Sequence, residues 1–213
     1  MNKEFVYIVD DDEAVRDSLR WLLEGNGFNV KSFNSAEELL EVVNKGTEKL
    51  NGCLILDVRM PGMTGVELHD ELLSLGLNLP IIFVTGHGSV TLAVKSMKKG
   101  AIDFLEKPFS DKQLCSLVKA ALEKSKEKEN QREYRIKVQT LLDKLTPRES
   151  QVLERIIAGR LNKQIADDLK ISIKTVEAHR SNIMNKVEAR TIADLMKIAL
   201  SVNLNTPEQS VLK

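Results

Sequence analysis

Five residues of this chain have types and positions that could serve phosphoryl chemistry: Asp10, Asp11, Asp57, Thr85 and Lys107. Four of them stand where a short apolar run gives way to polar residues, and Lys107 follows a mixed stretch that also reads as a strand. FVYIV runs into Asp10 and Asp11, CLIL into Asp57, IIFV into Thr85, and AIDFLE into Lys107. An unbroken apolar run bounded by turn residues reads as a strand buried on both faces. In an open α/β sheet the carboxyl ends of such strands converge on one crevice, where ligands bind. Three carboxylates there repel one another unless a cation joins them. An all-oxygen site that keeps several waters suits Mg2+ better than Zn2+. A phosphoryl group in transit needs its equatorial oxygens neutralised. The metal, the Lys107 ammonium and the Thr85 hydroxyl would do this, with Asp57 as the nucleophile. Singly, each residue has a plainer reading. Asp57 could be a turn residue, Asp10 to Asp12 could cap a first helix, Thr85 could simply end a strand, and Lys107 could be a loop lysine.

The elements that must position these residues follow from periodicity. Val15, Leu19, Leu22 and Leu23 form a helical stripe, and Gly25-Asn26-Gly27 stops it. FNVKSF at 28–33 alternates like a strand. Ser35 with Glu38 three residues later is a capping box. Strands are predicted at 5–9, 28–33, 53–57, 80–85 and 101–107, and helices near 64–75, over 89–99 and from 110 onward. Five strand–helix units predict an α/β domain: a flavodoxin-like, doubly wound, five-stranded parallel sheet with helices on both faces. His87, in Gly86-His87-Gly88, reads as a solvent-exposed loop histidine. No GxxxxGK[ST] occurs, so direct ATP binding is not expected.

The chain has 213 residues, 42% hydrophobic and 29% charged, which suits one or two globular domains. Its formal charge of zero conceals an asymmetry. Residues 1–122 hold 13 Lys/Arg against 18 Asp/Glu, and residues 123–213 hold 18 against 13. An acidic front suits a cation and a basic rear suits nucleic acid, although scatter in surface charge gives the same figures. No apolar run is long enough to span a membrane, and the N-terminus lacks an apolar signal region. Cys53 and Cys115 lack metal-ligand spacing. A cytoplasmic protein with free thiols is expected.

Residues 123–143 are rich in Glu, Lys, Gln and Arg, with no Gly or Pro. They are predicted to continue the preceding helix as an exposed linker, and a floppy charged tether is the alternative. Tyr134, Val138, Leu141 and Leu145 fall at spacings too few for a coiled coil.

The rear segment opens on Thr146-Pro147-Arg148-Glu149, a capping box with Pro at the first helical position. Asn162 is predicted to cap a second helix and Ser172 a third, and a fourth covers 191–200. Two short helices about a tight turn read as a helix-turn-helix, within a small all-α four-helix domain. Lys174, Thr175, Glu177, Ala178, Arg180, Ser181 and Lys186 are predicted on the outer face of the third helix, which would lie in a major groove. Lys and Arg would neutralise phosphates. Glu177 could accept from a cytosine amino group or merely repel phosphate. A bundle that binds no nucleic acid fits the same pattern.

IVDDDEAVR, LILDVRMPGMTG, FVTGHGS and DFLEKPF, at these spacings, resemble the receiver domain of two-component response regulators over roughly residues 3–122. The resemblance implies that Asp57 takes a phosphoryl group from a phosphohistidine on a cognate sensor histidine kinase. It implies Mg2+ held by Asp11, Asp57 and the Arg59 backbone carbonyl, with Asp10 acting through water. Thr85 and Lys107 match the family's switch hydroxyl and phosphate-binding lysine, and Phe104 its switch aromatic. A cis Lys107–Pro108 bond is implied too. LTPRESQVL, NKQIADDL and TVEAHRSNIMNKV resemble the LuxR-type helix-turn-helix over about 142–206, and the whole arrangement looks most like the FixJ branch. That implies base-reading positions at Glu177, Ala178 and Ser181, with Thr175, His179 and Arg180 near the backbone. His179 could equally be a packing residue.

The expected organisation is a receiver over 1–122, a helical linker over 123–143, a DNA-binding domain over 144–206 and a tail over 207–213. The expected function is phosphorylation-controlled binding of promoter DNA to regulate transcription with RNA polymerase. Val94, Lys95 and Asp103 would lie on a surface that favours a homodimer. A turnover enzyme is not expected, because aspartate-nucleophile phosphatases usually carry a second acid two residues on, and Arg59 stands there. A rear domain that binds protein instead of DNA is the other alternative.

Overall fold

The computed structural model describes residues 3–46, 50–86, 97 and 100–202. Two compact units divide the chain, Met1–Glu129 and Asn130–Lys213.

The first unit holds five strands: β1 (Phe5–Val9), β2 (Val30–Phe33), β3 (Gly52–Asp57), β4 (Ile81–Thr85) and β5 (Asp103–Glu106). All pair in parallel, in the order β2-β1-β3-β4-β5. Four helices accompany them: α1 (Glu13–Gly25), α2 (Ala36–Asn44), α3 (Gly65–Ser74) and α4 (Asp111–Leu142). Successive strand residues point to opposite faces, so each strand feeds two cores. Tyr7, Val9, Leu54, Leu56 and Phe83 pack with Leu39 of α2 and Leu68 of α3. Val6, Ile8, Cys53, Ile55, Ile82 and Val84 pack with Leu23 of α1 and with Leu114 and Val118 of α4. This is the doubly wound sheet expected from the apolar runs.

The sheet order reverses between β1 and β3, which makes the crevice beyond their carboxyl ends the natural ligand site. All six residues of β3 are buried. It begins at Gly52, whose φ is +133° and where a Cβ would stand 1.9 Å from the Phe5 carbonyl oxygen. No other residue fits there. Burial pushes the next residue's thiol, that of Cys53, up to about 12.

β1 keeps its predicted bounds and β3 starts one residue earlier, at Gly52, while β2, β4 and β5 are shorter than predicted. β2 starts at Val30 and β4 at Ile81, after Pro80, which has no N–H to give to a ladder. Asp12 caps α1, its Oδ1 accepting from Ala14 N–H at 2.9 Å. The helix expected over 89–99 lies outside the described residues except for Met97. His87, Val94 and Lys95 lie outside them too.

α4 runs for 32 residues. Its head buries Leu114, Val118, Ala121 and Ser125 in the first unit, and its tail buries Val138 and Leu141 in the second. Residues 130–137 between them are exposed. The charged stretch expected as a linker is therefore helical to Leu142 but packed at both ends.

The second unit adds α5 (Pro147–Ile157), α6 (Asn162–Leu169), α7 (Ile173–Lys186) and α8 (Ile192–Ser201), making eight helices among the described residues. Val152, Leu153, Ile156, Ile165, Val176, Ile183, Leu195 and Ile198 form its core, joined by Val138. The Thr146–Glu149 capping box and Pro147 open α5. At α6 the cap is Leu161, not Asn162. The leucine side chain has no acceptor for the N–H groups of the first turn, and only the reciprocal bond is made, with Gln164 Oε1 accepting the Leu161 N–H at 2.8 Å. Lys170, with φ +54°, turns the chain, and Ser172 Oγ accepts the Thr175 N–H at 3.0 Å to start α7. Residues 203–206 and the 207–213 tail lie outside the described residues.

Candidate functional site

β3 delivers Asp57 to the crevice, and β1, its neighbour, delivers Asp10. Lys107 follows β5 and reaches both. Its Nζ stands 3.0 Å from Asp10 Oδ2 and 3.2 Å from Asp57 Oδ1. The other oxygen of each carboxylate takes a backbone N–H. Arg59 donates to Asp57 Oδ2 at 2.7 Å, and Asp12 donates to Asp10 Oδ1 at 3.0 Å. Both acids are buried, with Asp10 3% and Asp57 8% exposed.

Burial pushes the Asp57 carboxyl above its ordinary value. The Arg59 N–H and Lys107 pull it down and only partly offset that, while Asp10 pushes it further up. Burial likewise works to lower the Lys107 ammonium, but Asp10 and Asp57 more than reverse it, so its pKa is raised. The crevice therefore holds two carboxylates against one ammonium, with Asp57 short of countercharge.

Thr85 is buried at the end of β4, beside β3, and its carbonyl accepts the Lys107 N–H at 2.8 Å. The Lys107–Pro108 peptide is cis. Phe104 is half-buried on β5 with its ring 6.4 Å from that of Phe83, and its N–H donates to Asp103 Oδ1 at 2.8 Å. Asp11 is exposed, as is the Arg59 side chain. Among the described residues no three His, Cys, Asp or Glu side chains are grouped to hold a metal. The donors still fit Mg2+. They are hard oxygens, a cation (the Lys107 ammonium) already bridges the two buried acids, and Mg2+ takes one or two carboxylates while keeping several waters.

Sequence reasoning missed three supports of this site. Gly65 opens α3, and a Cβ on it would stand 2.1 Å from the Asp57 carbonyl oxygen. Thr64 caps α3 in a box with Glu67, a T-x-x-E signal that is legible in the sequence. Glu37 reaches the loop after Asp57, accepting from Met63 N–H at 3.0 Å. No local pattern announces that third contact.

On α7 the side chains of Lys174, Glu177, Ala178 and Ser181 are exposed, while Thr175, His179 and Arg180 are half-buried. Lys186 departs from the outward face expected of it. Its Nζ donates to Oε2 of Glu149 at 2.7 Å, and Glu149 is only 3% exposed. The same oxygen accepts the Thr146 N–H at 2.8 Å. Lys186, then Thr146, hold the Glu149 carboxyl below its ordinary value.

Residues 6–119 match the family described as response regulator receiver domain, and residues 143–199 match that described as bacterial regulatory proteins, luxR family. The transcriptional regulatory protein FixJ of Azorhizobium caulinodans is 45% identical over 195 residues, covering 92% of this chain and 91% of that one. The response regulator protein TodT of Pseudomonas putida is 42% identical over 193 residues, covering 91% and 84%. Among solved structures, response regulator StyR aligns with a TM-score of 0.81 at 41% identity, over 93% of this chain and 99% of that one. Full-length FixJ from B. japonicum aligns with a TM-score of 0.57 at 38% identity, over 96% and 100%.

Proposed function

The chain belongs to the response regulators, as a FixJ-like transcription regulator with a receiver domain and a LuxR-type DNA-binding domain, and from that premise we propose that phosphorylation of Asp57 governs its hold on promoter DNA. One observation carries the proposal. Asp57 is a buried acid at the central strand end, short of countercharge and already touching the lysine that would contact the oxygens of an incoming phosphoryl group.

In the proposed reaction one Asp57 carboxylate oxygen attacks the phosphorus of a phosphohistidine on a cognate sensor histidine kinase. The P–O bond forms as the P–N bond breaks, and the freed imidazole takes a proton. Asp11, Asp57 and the Arg59 carbonyl, with Asp10 acting through water, would hold Mg2+, which would supply charge neutralisation. Lys107 shifts from the carboxylates to the phosphoryl oxygens, and the Thr85 hydroxyl donates to them. Phe104 moves with Thr85, so a local charge becomes a surface change. A dimer surface including Val94, Lys95 and Asp103 then pairs two copies, which sets two α7 helices on two half-sites. Lys174, Thr175, His179 and Arg180 contact the DNA backbone, and Glu177, Ala178 and Ser181 approach base edges. The promoter complex is read by RNA polymerase.

The proposed domains are 1–122, 123–143 and 144–206, with a tail at 207–213. The proposed compartment is the cytoplasm, and the chain turns over no substrate. No helix among the described residues is long and apolar enough to cross a membrane.

The test treats the full chain with a small-molecule phosphoryl donor and Mg2+, maps the label, and measures size and promoter affinity against salt. Label on Asp57, a doubled mass and tighter, salt-dependent binding are expected. An Asp57→Ala protein that dimerises and binds DNA like the labelled wild type overturns the proposal.

A further inference from the structure

The segment from Val58 to Thr64, which joins β3 to α3, carries the Arg59 backbone that flanks Asp57. Its base is held by the sheet and by Asp57. Val58 N–H donates to the Val84 carbonyl at 3.1 Å, and Arg59 N–H to Asp57 Oδ2 at 2.7 Å. Its far end is held by the Thr64–Glu67 box and by Gly65 N–H on the Val58 carbonyl at 3.3 Å. The tip between them is reached from another element by Glu37, in the first turn of α2. Glu37 Oε1 accepts the Met63 N–H at 3.0 Å, 26 positions away in sequence.

Gly62 fits this contact. Its φ is +74°, and a Cβ there would stand 2.7 Å from Glu37 Oε1. The carboxylate therefore lies against bare backbone. The backbone N–H of Glu37 itself and that of Met63 hold its carboxyl below the ordinary value, so it is ionised at neutral pH.

We propose that Glu37 is a positioning residue for the phosphoacceptor loop: by holding the Met63 N–H it fixes the Arg59 backbone beside Asp57 and so sets how tightly the crevice takes Mg2+. This rests on the reading of Asp57 as phosphoacceptor. Residues that orient a metal's ligands without touching it govern affinity, because a loosened ligand must be reordered on binding. Glu37 is exposed, so its replacement is expected to leave the fold intact.

The test compares wild type, Glu37→Gln and Glu37→Ala as full chains. The first readout is amide hydrogen exchange at Arg59 and Met63 without metal. The second is the Mg2+ concentration that half-saturates labelling by acetyl phosphate. Faster exchange at both amides and a half-saturating Mg2+ raised about tenfold are expected for Glu37→Ala. The rate at saturating Mg2+ should stay within about twofold. Glu37→Gln keeps an acceptor for Met63 and is expected to match wild type. Glu37→Ala with wild-type exchange and Mg2+ dependence overturns the inference alone. Gln and Ala variants equally impaired overturn it as well, because the charge and not the hydrogen bond would then matter. A wild-type chain that takes no label on Asp57 overturns the phosphoacceptor reading, and this inference with it.

Discussion

The Lys186 ammonium donates to Glu149 Oε2 at 2.7 Å, joining the last residue of α7 to the first turn of α5 across 37 positions of sequence. Glu149 simultaneously takes the Thr146 N–H, so one buried carboxylate serves both a helix cap and an ion pair. Lys186→Met is expected to cost about 1–3 kcal/mol in thermal or denaturant unfolding, because it leaves that carboxylate without its charged donor. Glu149 has a folded pKa below its ordinary 4.5. The stability it contributes is therefore present above that value and lost as pH falls through the lower folded pKa. The gap between wild type and Lys186→Met should close in acid. Salt titration of promoter binding separates this role from phosphate contact. A lost phosphate contact flattens the slope by about one unit, whereas a lost brace weakens binding at unchanged slope. The brace predicts the second result.

Asp57→Asn is expected to abolish labelling and yet raise thermal stability at neutral pH by about 1 kcal/mol, a few degrees in Tm. Burial raises the Asp57 pKa, so the folded state holds its proton more tightly than the unfolded chain does. That stabilisation is present in acid and lost as pH rises through the raised folded pKa. The variant's advantage should widen over the same range. Calorimetry of both proteins across pH without metal checks this.

Gly65→Ala places a methyl group 2.1 Å from the Asp57 carbonyl oxygen, a backbone atom that has no rotamer to yield. The start of α3 or the end of β3 must shift. The expected costs are about 2–3 kcal/mol in unfolding and at least about tenfold in labelling rate. Circular dichroism melts and label mapping measure the two independently.

Val138 and Leu141 are buried in the second unit, though they belong to α4. A fragment over 130–213 is expected to melt cooperatively. One starting at residue 144 should melt earlier, having lost both side chains. Val138→Ala alone should cost about 1–2 kcal/mol in the longer fragment. The exposed Lys137–Glu188 pair, at 3.4 Å, should contribute little.

The sheet and the core of the site were legible in sequence for a physical reason. Strands buried on both faces must be continuously apolar, so β3 and β4 announce themselves and Asp57 and Thr85 mark their ends. What escaped depends on partners remote in sequence. Nothing near Lys186 signals that Glu149 lies within reach, and outward helical phase alone suggested a DNA contact. Nothing near Glu37 signals Met63. The α6 cap failed differently. Asn162 has the right chemistry, but the helix boundary lies one residue earlier, at Leu161, whose backbone N–H donates to the Gln164 side chain. His69 was passed over too. It is 3% exposed with its ring 5.8 Å from that of Phe83, a packing position within an otherwise apolar pattern.

Cys53 lies four positions before Asp57 on the same strand, with β1 on one side and β4 on the other. Its thiol, raised to about 12, is protonated at neutral pH and sealed from reagents. An alkylating agent reaches it when β3 parts from its neighbours, so the rate of modification counts those openings. The strand that bears Asp57, the proposed phosphoacceptor, thus contains its own clock. Slower alkylation after labelling would measure directly how far the phosphoryl group tightens the centre of the sheet.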